Sequence, residues 1–153
     1  DHNATSHVDQ AVEFFSSIAS KYGSNPNIIY ETFNKPLQLS WTDVLVPYHK
    51  KVIAAIRKYD TKNVIVLGTP KWSQSVDEAS RNPITDYSNL MYTLHYYAAQ
   101  PEHKAALRAT AQTAYNNGLP IFVTEYGTVA ASGDGAVDSA SSATWWSFLD
   151  EKN

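Results

Sequence analysis

The 153-residue sequence predicts an α/β fold in which a parallel sheet is built from successive βα units. Three observations point there. Short β-rich runs alternate with longer stretches whose apolar residues recur at three- and four-residue steps. The short runs are apolar on both faces, as strands covered on both sides are. Glycine, proline and asparagine punctuate the junctions between the two kinds of segment.

Taken in order, Val8 to Tyr22 places Val8, Ala11, Val12, Phe15, Ile18, Ala19 and Tyr22 on one helical face, with Gly23 as its stop. After the Ser24 to Pro26 turn signal, Asn27 to Phe33 is too short for a helix and reads as a strand ending near Asn34, with Pro36 beyond it. A second amphipathic helix runs from Thr42 to Tyr59, with Pro47 confined to its first turns or a kink. Asn63 to Leu67 is a buried strand closed by Gly68 and Pro70. A loop with a short helix from Ser73 to Ser80 leads to a third strand, Leu90 to His95. Glu102 to Asn117 is a helix capped by Gly118, and Ile121 to Glu125 is the fourth strand. Ala130 to Gly135 is loop, and Ser139 to Leu149 a final helix with Ser139 or Ser141 near its N-cap. With no fixed-period repeat, linker or low-complexity stretch, the chain is one domain or part of one.

Composition narrows the function classes. Hydrophobic residues make up 43% and charged residues 18%, a balance that buries a core. The formal net charge of −3 comes with no basic run, so neither nucleic acid nor a membrane surface is an expected partner. Without cysteine, disulfides and thiolate metal sites are excluded. The polar opening from Asp1 to Gln10 is neither a signal peptide nor an initiating methionine, so the start reads as cut from a longer chain. Asn3-Ala4-Thr5 matches an N-glycosylation acceptor.

Polar residues gather at the C-terminal ends of the four expected strands: Asn34 and Lys35, then Thr69 and Trp72, then His95 and Tyr97, then Glu125. Parallel α/β barrels carry their active sites on that face. Each residue also has a structural reading. Glu125 could bond a neighbouring arginine or a loop amide, His95 could be a hydrogen-bonded core histidine, and Trp41 and Trp72 could be core or interface residues. Of Trp145 and Trp146, at least one should pack in the core. Glu31, inside the first strand, should pair with a charge outside these residues. His95 and Glu125 lie too far apart in sequence to form a metal-ligand motif.

IIYETFNKP, VIVLGTPKWSQ, MYTLHYYA and IFVTEYGT together resemble the strand-end motifs of glycoside hydrolase family 5 cellulases, in order and across nearly the whole chain. LMYTLHYYA, FVTEYGT and WWSFLD are most similar to endoglucanases of plant-parasitic nematodes and their bacterial relatives. The resemblance implies that residues 1–153 are a fragment of one catalytic domain, a partial (β/α)8 TIM barrel covering roughly strands four to seven. It implies retaining hydrolysis of internal β-1,4-glucosidic bonds, a secreted protein, a β-1,4-glucan substrate, and no metal or organic cofactor.

Residue by residue, it implies that Glu125 is the nucleophile and that Asn34 bonds the 2-hydroxyl of the reacting sugar. His95 would lie near the acid/base, and Tyr97 would hold the nucleophile. Trp72 would stack on a sugar, with Gln74 beside it. The family's acid/base glutamate stands in Asn-Glu-Pro, whereas this chain reads Asn34-Lys35-Pro36. A lysine ammonium beside Glu125 is a poor acid and no base near neutral pH, so impaired activity is expected. Two other functions fit the same residues: a non-catalytic β-glucan-binding pseudoenzyme, or a mannanase of the same clan. An open half-barrel would also expose two sheet edges, which favours self-association.

Overall fold

The computed structural model describes residues 2–152. Four parallel strands, β1 (Tyr30–Glu31), β2 (Ile65–Leu67), β3 (Leu90–Tyr97) and β4 (Ile121–Gly127), pair in sequence order. Helices α1 (Val8–Tyr22), α2 (Val46–Arg57), α3 (Val76–Arg81), α4 (Ala105–Asn116) and α5 (Ser139–Asp150) alternate with them. The result is half of a (β/α)8 barrel. Among the described residues, β1 and β4 each have a single strand neighbour.

The helix α1 has the bounds its periodicity predicts. β1 is shorter than expected. Its ladder to β2 extends only through the Tyr30 N–H to Val64 and the Thr32 N–H to Val66, before the chain turns at Asn34. The helix expected from Thr42 begins instead as a π-turn, Trp41–Leu45, in which the Leu45 N–H reaches back to the Ser40 carbonyl at 3.1 Å. Pro47 sits in the first turn of α2, where its missing N–H costs nothing. β3 runs two residues further than expected, to Tyr97, and β4 two residues further, to Gly127.

At the last helix Ser139 and Ser141 stand near the N-cap as expected, but neither is the cap. The N-cap is Asp138, whose Oδ1 accepts the Ser141 N–H at 2.9 Å while its Oδ2 meets Lys104 Nζ at 2.7 Å. A carboxylate at this end satisfies an orphan donor and also faces the positive end of the helix dipole, which a hydroxyl does not match. Ser139 and Ser141 lie within the first turn.

The core fills the space between the sheet and its helices. Trp41, Leu45, Val52, Ile53, Ile56, Ile65, Leu67 and Leu94 are fully buried. Of the tryptophan pair, Trp145 is buried and Trp146 exposed. Trp145 stacks on Tyr96 with ring centroids 4.1 Å apart and donates its indole N–H to the His103 carbonyl at 2.8 Å, tying α5 to β3 and to the turn after it. Trp145→Ala should therefore cost about 3 to 5 kcal/mol of stability in urea unfolding, the range for a buried tryptophan. Trp146→Ala should stay within about 0.5 kcal/mol.

His49 is the other anchor. Fully buried on α2, it bonds Thr32 Oγ1 and the Gly68 carbonyl, each at 2.9 Å, and burial pushes its pKa down to about 4. A neutral imidazole thus fastens α2 to the C-terminal ends of β1 and β2, immediately below the turn that carries Asn34 and Lys35. Those two strand ends approach closely: a Cβ at Gly68 would stand 2.1 Å from the Phe33 carbonyl oxygen.

Candidate active site

Two turns hold the loop side chains in unusual backbone conformations. Lys35 has φ +59°, and Lys71, Trp72 and Ser73 have φ of +56°, +54° and +63°. Left-handed conformations in residues with a Cβ cost on the order of 1 to 2 kcal/mol each, so the surroundings must impose them. The two turns impose them on each other. The Lys71 N–H donates to the Leu37 carbonyl at 3.1 Å and the Trp72 N–H to the Pro36 carbonyl at 2.7 Å. Lys35 and Trp72 are thereby positioned as one unit. The short helix expected from Ser73 becomes this left-handed turn followed by α3.

β3 and β4 supply the rest. Their pairing runs Leu94 to Val123 and then His95 to Glu125, so Thr124 is an extra residue on β4. Such a bulge breaks the alternation of faces. Here it lets two consecutive side chains, Thr124 and Glu125, line one hollow with Glu31, Asn34 and His95. Tyr97 pairs across to Gly127, where a Cβ would come within 2.7 Å of its ring; glycine leaves that ring room to reach Glu125.

The strand-end residues expected to act together do meet. A cleft of about 280 Å³ is lined by Lys35, Trp72, Gln74, His95, Tyr97 and Glu125, together with Gln100, His103 and Ala131. Asn34 borders the adjoining hollow beside Glu31 and Thr124. Thr69, also expected on this face, is instead buried, its hydroxyl on the Thr93 carbonyl at 2.9 Å. A larger hollow of about 410 Å³ between α4, α5 and β4 is lined mostly by apolar side chains such as Leu94, Tyr115 and Phe148 and gathers no such cluster.

Glu125 is the centre of the cleft. Lys35 Nζ lies 2.7 Å from its Oε1, and the Tyr97 hydroxyl donates to the same oxygen. Burial would raise the Glu125 pKa, but the Lys35 and Tyr97 hydrogen bonds outweigh it and hold the carboxyl below its ordinary range. Tyr97 is pushed up to about 12, first by that hydrogen bond and then by burial, so it stays a donor. Burial drives His95 down to about 4, leaving it a neutral imidazole. Glu31 moves the other way, raised by burial against the hydrogen bond from Thr124, and then by the nearby charge of Glu125.

Residues beyond the expected strand-end set brace the site. Buried His103 takes the Tyr97 N–H on Nδ1 at 2.9 Å and fixes the backbone of that tyrosine. Thr124 bridges Glu31 and His95. His2 Nδ1 lies 2.8 Å from the Lys35 carbonyl oxygen. Among the described residues, no group of three or more His, Asp or Glu side chains is placed to hold a metal ion. Likewise, no helix among them is long and apolar enough to cross a membrane.

A cleft at the C-terminal ends of parallel strands is where (β/α)8-barrel domains place their chemistry. The chain belongs to the cellulase family, glycosyl hydrolase family 5, whose profile matches residues 1–153. It is 48% identical over 152 residues to Endoglucanase Z of Dickeya dadantii, covering 99% of this chain and 35% of that protein. An endoglucanase of Clostridium saccharobutylicum is 42% identical over 154 residues, with 100% and 34% covered. Among solved structures, a protein from Cytophaga hutchinsonii superposes with a TM-score of 0.95 at 50% identity, covering 99% of this chain and 49% of that one. The catalytic domain of a Thermobifida fusca endoglucanase superposes at 0.90 with 32% identity, covering 99% and 50%. A form of that domain in complex with cellotetraose superposes at 0.88. The chain thus spans about a third of the curated relatives' length and about half of the solved domains.

Proposed function

We propose that this chain is part of an endo-β-1,4-glucanase catalytic domain of the retaining type, with Glu125 as nucleophile and Lys35 in the place of the acid/base carboxyl. The observation that carries this reading is the contact between Lys35 Nζ and Glu125 Oε1, 2.7 Å long, in a cleft at the strand ends. It is supported by relatives named endoglucanases and by the cellotetraose complex of the Thermobifida fusca domain.

In this mechanism a sugar lies across Trp72, with Gln74 beside that ring and Asn34 on the 2-hydroxyl. Glu125 attacks the anomeric carbon while the bond to the leaving oxygen breaks. Tyr97 releases Oε1 as charge moves off the carboxylate. The leaving oxygen then needs a proton, and in the second step water must lose one. A carboxyl group does both by switching between acid and base. An ammonium is a far weaker acid and has no lone pair to take a proton from water. Lys35 additionally binds the attacking oxygen, which lowers its nucleophilicity. Cellulose turnover by the full-length protein is therefore slow, while glucan binding persists. A secreted protein is the setting in which a polymeric glucan is met.

The same ion pair favours a second reading, a β-glucan-binding protein that no longer turns over. Calorimetric titration with cellotetraose and with mannotetraose tests the substrate class common to both. Cellotetraose should bind the full-length protein in preference. Trp72→Ala should weaken that binding by about two- to tenfold, the worth of one aromatic contact. Preference for mannotetraose would point to a mannanase and overturn the glucan assignment.

A further inference from the structure

One set of hydrogen bonds below Glu125 has a fixed direction. Thr124 owns a single hydroxyl proton, which it donates to Glu31 Oε1 at 2.9 Å. A carboxylate can only accept, so the direction of this bond is set by Glu31. The same hydroxyl oxygen lies 2.8 Å from His95 Nε2. With its own proton committed, the threonine can only accept there, and the imidazole must carry its proton on Nε2. His95 is neutral, so its other nitrogen, Nδ1, is a bare lone pair. That nitrogen is buried, has no hydrogen-bond partner among the described residues, and stands 3.8 Å from Glu125 Oε2.

This tautomer is the opposite of what Glu125 would select. A carboxylate 3.8 Å from Nδ1 favours a proton on that nitrogen, where it could be donated to Oε2. The β4 bulge places Thr124 on the same side as Glu125 and so lets Glu31, on β1, dictate the outcome from below.

We propose that Glu31 and Thr124 are positioning residues that lock His95 as its Nε2–H tautomer and hold a bare Nδ1 acceptor beside the nucleophile. Because that nitrogen is buried, the acceptor faces Glu125 rather than open solvent. It keeps His95 from donating to Glu125 and drawing charge off it. Only the word nucleophile rests on the hydrolase reading, and the test uses no turnover.

The test is nitrogen-15 NMR of the histidine rings in the full-length protein at about pH 8, where an ordinary carboxyl is ionised, with the His95 signals assigned by substitution. The expected spectrum has a pyrrole-type Nε2 and a pyridine-type Nδ1. Thr124→Val removes the acceptor, and Glu31→Leu frees the threonine proton to point at Nε2. Both should move the imidazole proton to Nδ1. Glu31→Gln should leave it on Nε2, because the amide oxygen still accepts from Thr124. A merely structural role for Glu31 would not separate leucine from glutamine in this way. A wild-type proton on Nδ1, or its retention on Nε2 in Thr124→Val, overturns the proposal.

Discussion

Lys35→Glu should raise carboxymethylcellulose hydrolysis by the full-length protein by about 10²- to 10⁴-fold, the usual worth of general acid/base catalysis. The cleft can take this change without rebuilding. Lys35 already has its left-handed φ of +59°, and glutamate meets the same backbone cost as lysine. The turn is held from outside the side chain, by the Lys71 and Trp72 N–H groups on the Leu37 and Pro36 carbonyls.

A glutamate side chain is shorter than lysine and would withdraw from Glu125 Oε1, which Lys35 Nζ now meets at 2.7 Å. Retaining glycosidases hold their two carboxyl groups about 5 to 5.5 Å apart, so withdrawal is in the useful direction. Two carboxyls at that range cannot both ionise freely, and the second is kept protonated as the acid the first step needs. Loss of the ammonium also frees Oε1 for attack, so both effects act in the same direction. Reducing-end release at matched protein and substrate concentrations gives the ratio. Equal rates for the two forms would mean that another group handles the proton and that Lys35 has been misassigned.

Much of this arrangement was legible in the sequence, for identifiable reasons. Helical periodicity located α1 to the residue, because its apolar face packs on a neighbour and its polar face is solvated. Four apolar runs with polar residues at their ends placed Asn34, Trp72, His95, Tyr97 and Glu125 on one rim, since side chains just past parallel strands share that face. The resemblance to the family motifs is what singles out Glu125, among strand-end carboxylates, for the proposed nucleophile.

Other features left no local mark. The left-handed run at Lys71, Trp72 and Ser73 contains none of the glycine or asparagine that signals positive φ, because tertiary hydrogen bonds impose it. The bulge at Thr124 arises from register between two strands 29 residues apart, as the His95 to Thr124 bond spans. A run such as IFVTEYG reads the same with or without it. His103 ends the 3-10 turn Pro101–His103, six residues past the end of β3, so the strand-end rule passes over it. Asp138 displaced the serines as cap through its charge, which a count of capping residue types underweights. Within these residues the Glu31 carboxyl takes the Thr124 hydroxyl, a partner that a glutamate inside a short strand does not announce.

The central claim is that Glu125 attacks the sugar and that what the Lys35 chain chiefly lacks is the proton chemistry. Mass spectrometry tests it most directly, after the full-length protein reacts with a cellobioside bearing fluorine beside the anomeric carbon and a dinitrophenolate leaving group. Dinitrophenolate departs without being protonated, so the first step needs no acid and should proceed even with Lys35 in place. The fluorine slows both steps by opposing the positive charge of their transition states, and without a base to activate water the ester persists. The account predicts one added glycosyl group per chain, on the peptide containing Glu125, and none in Glu125→Gln. A label on a different residue, Glu31 included, or no label in either the Lys35 or the Lys35→Glu form, would contradict it.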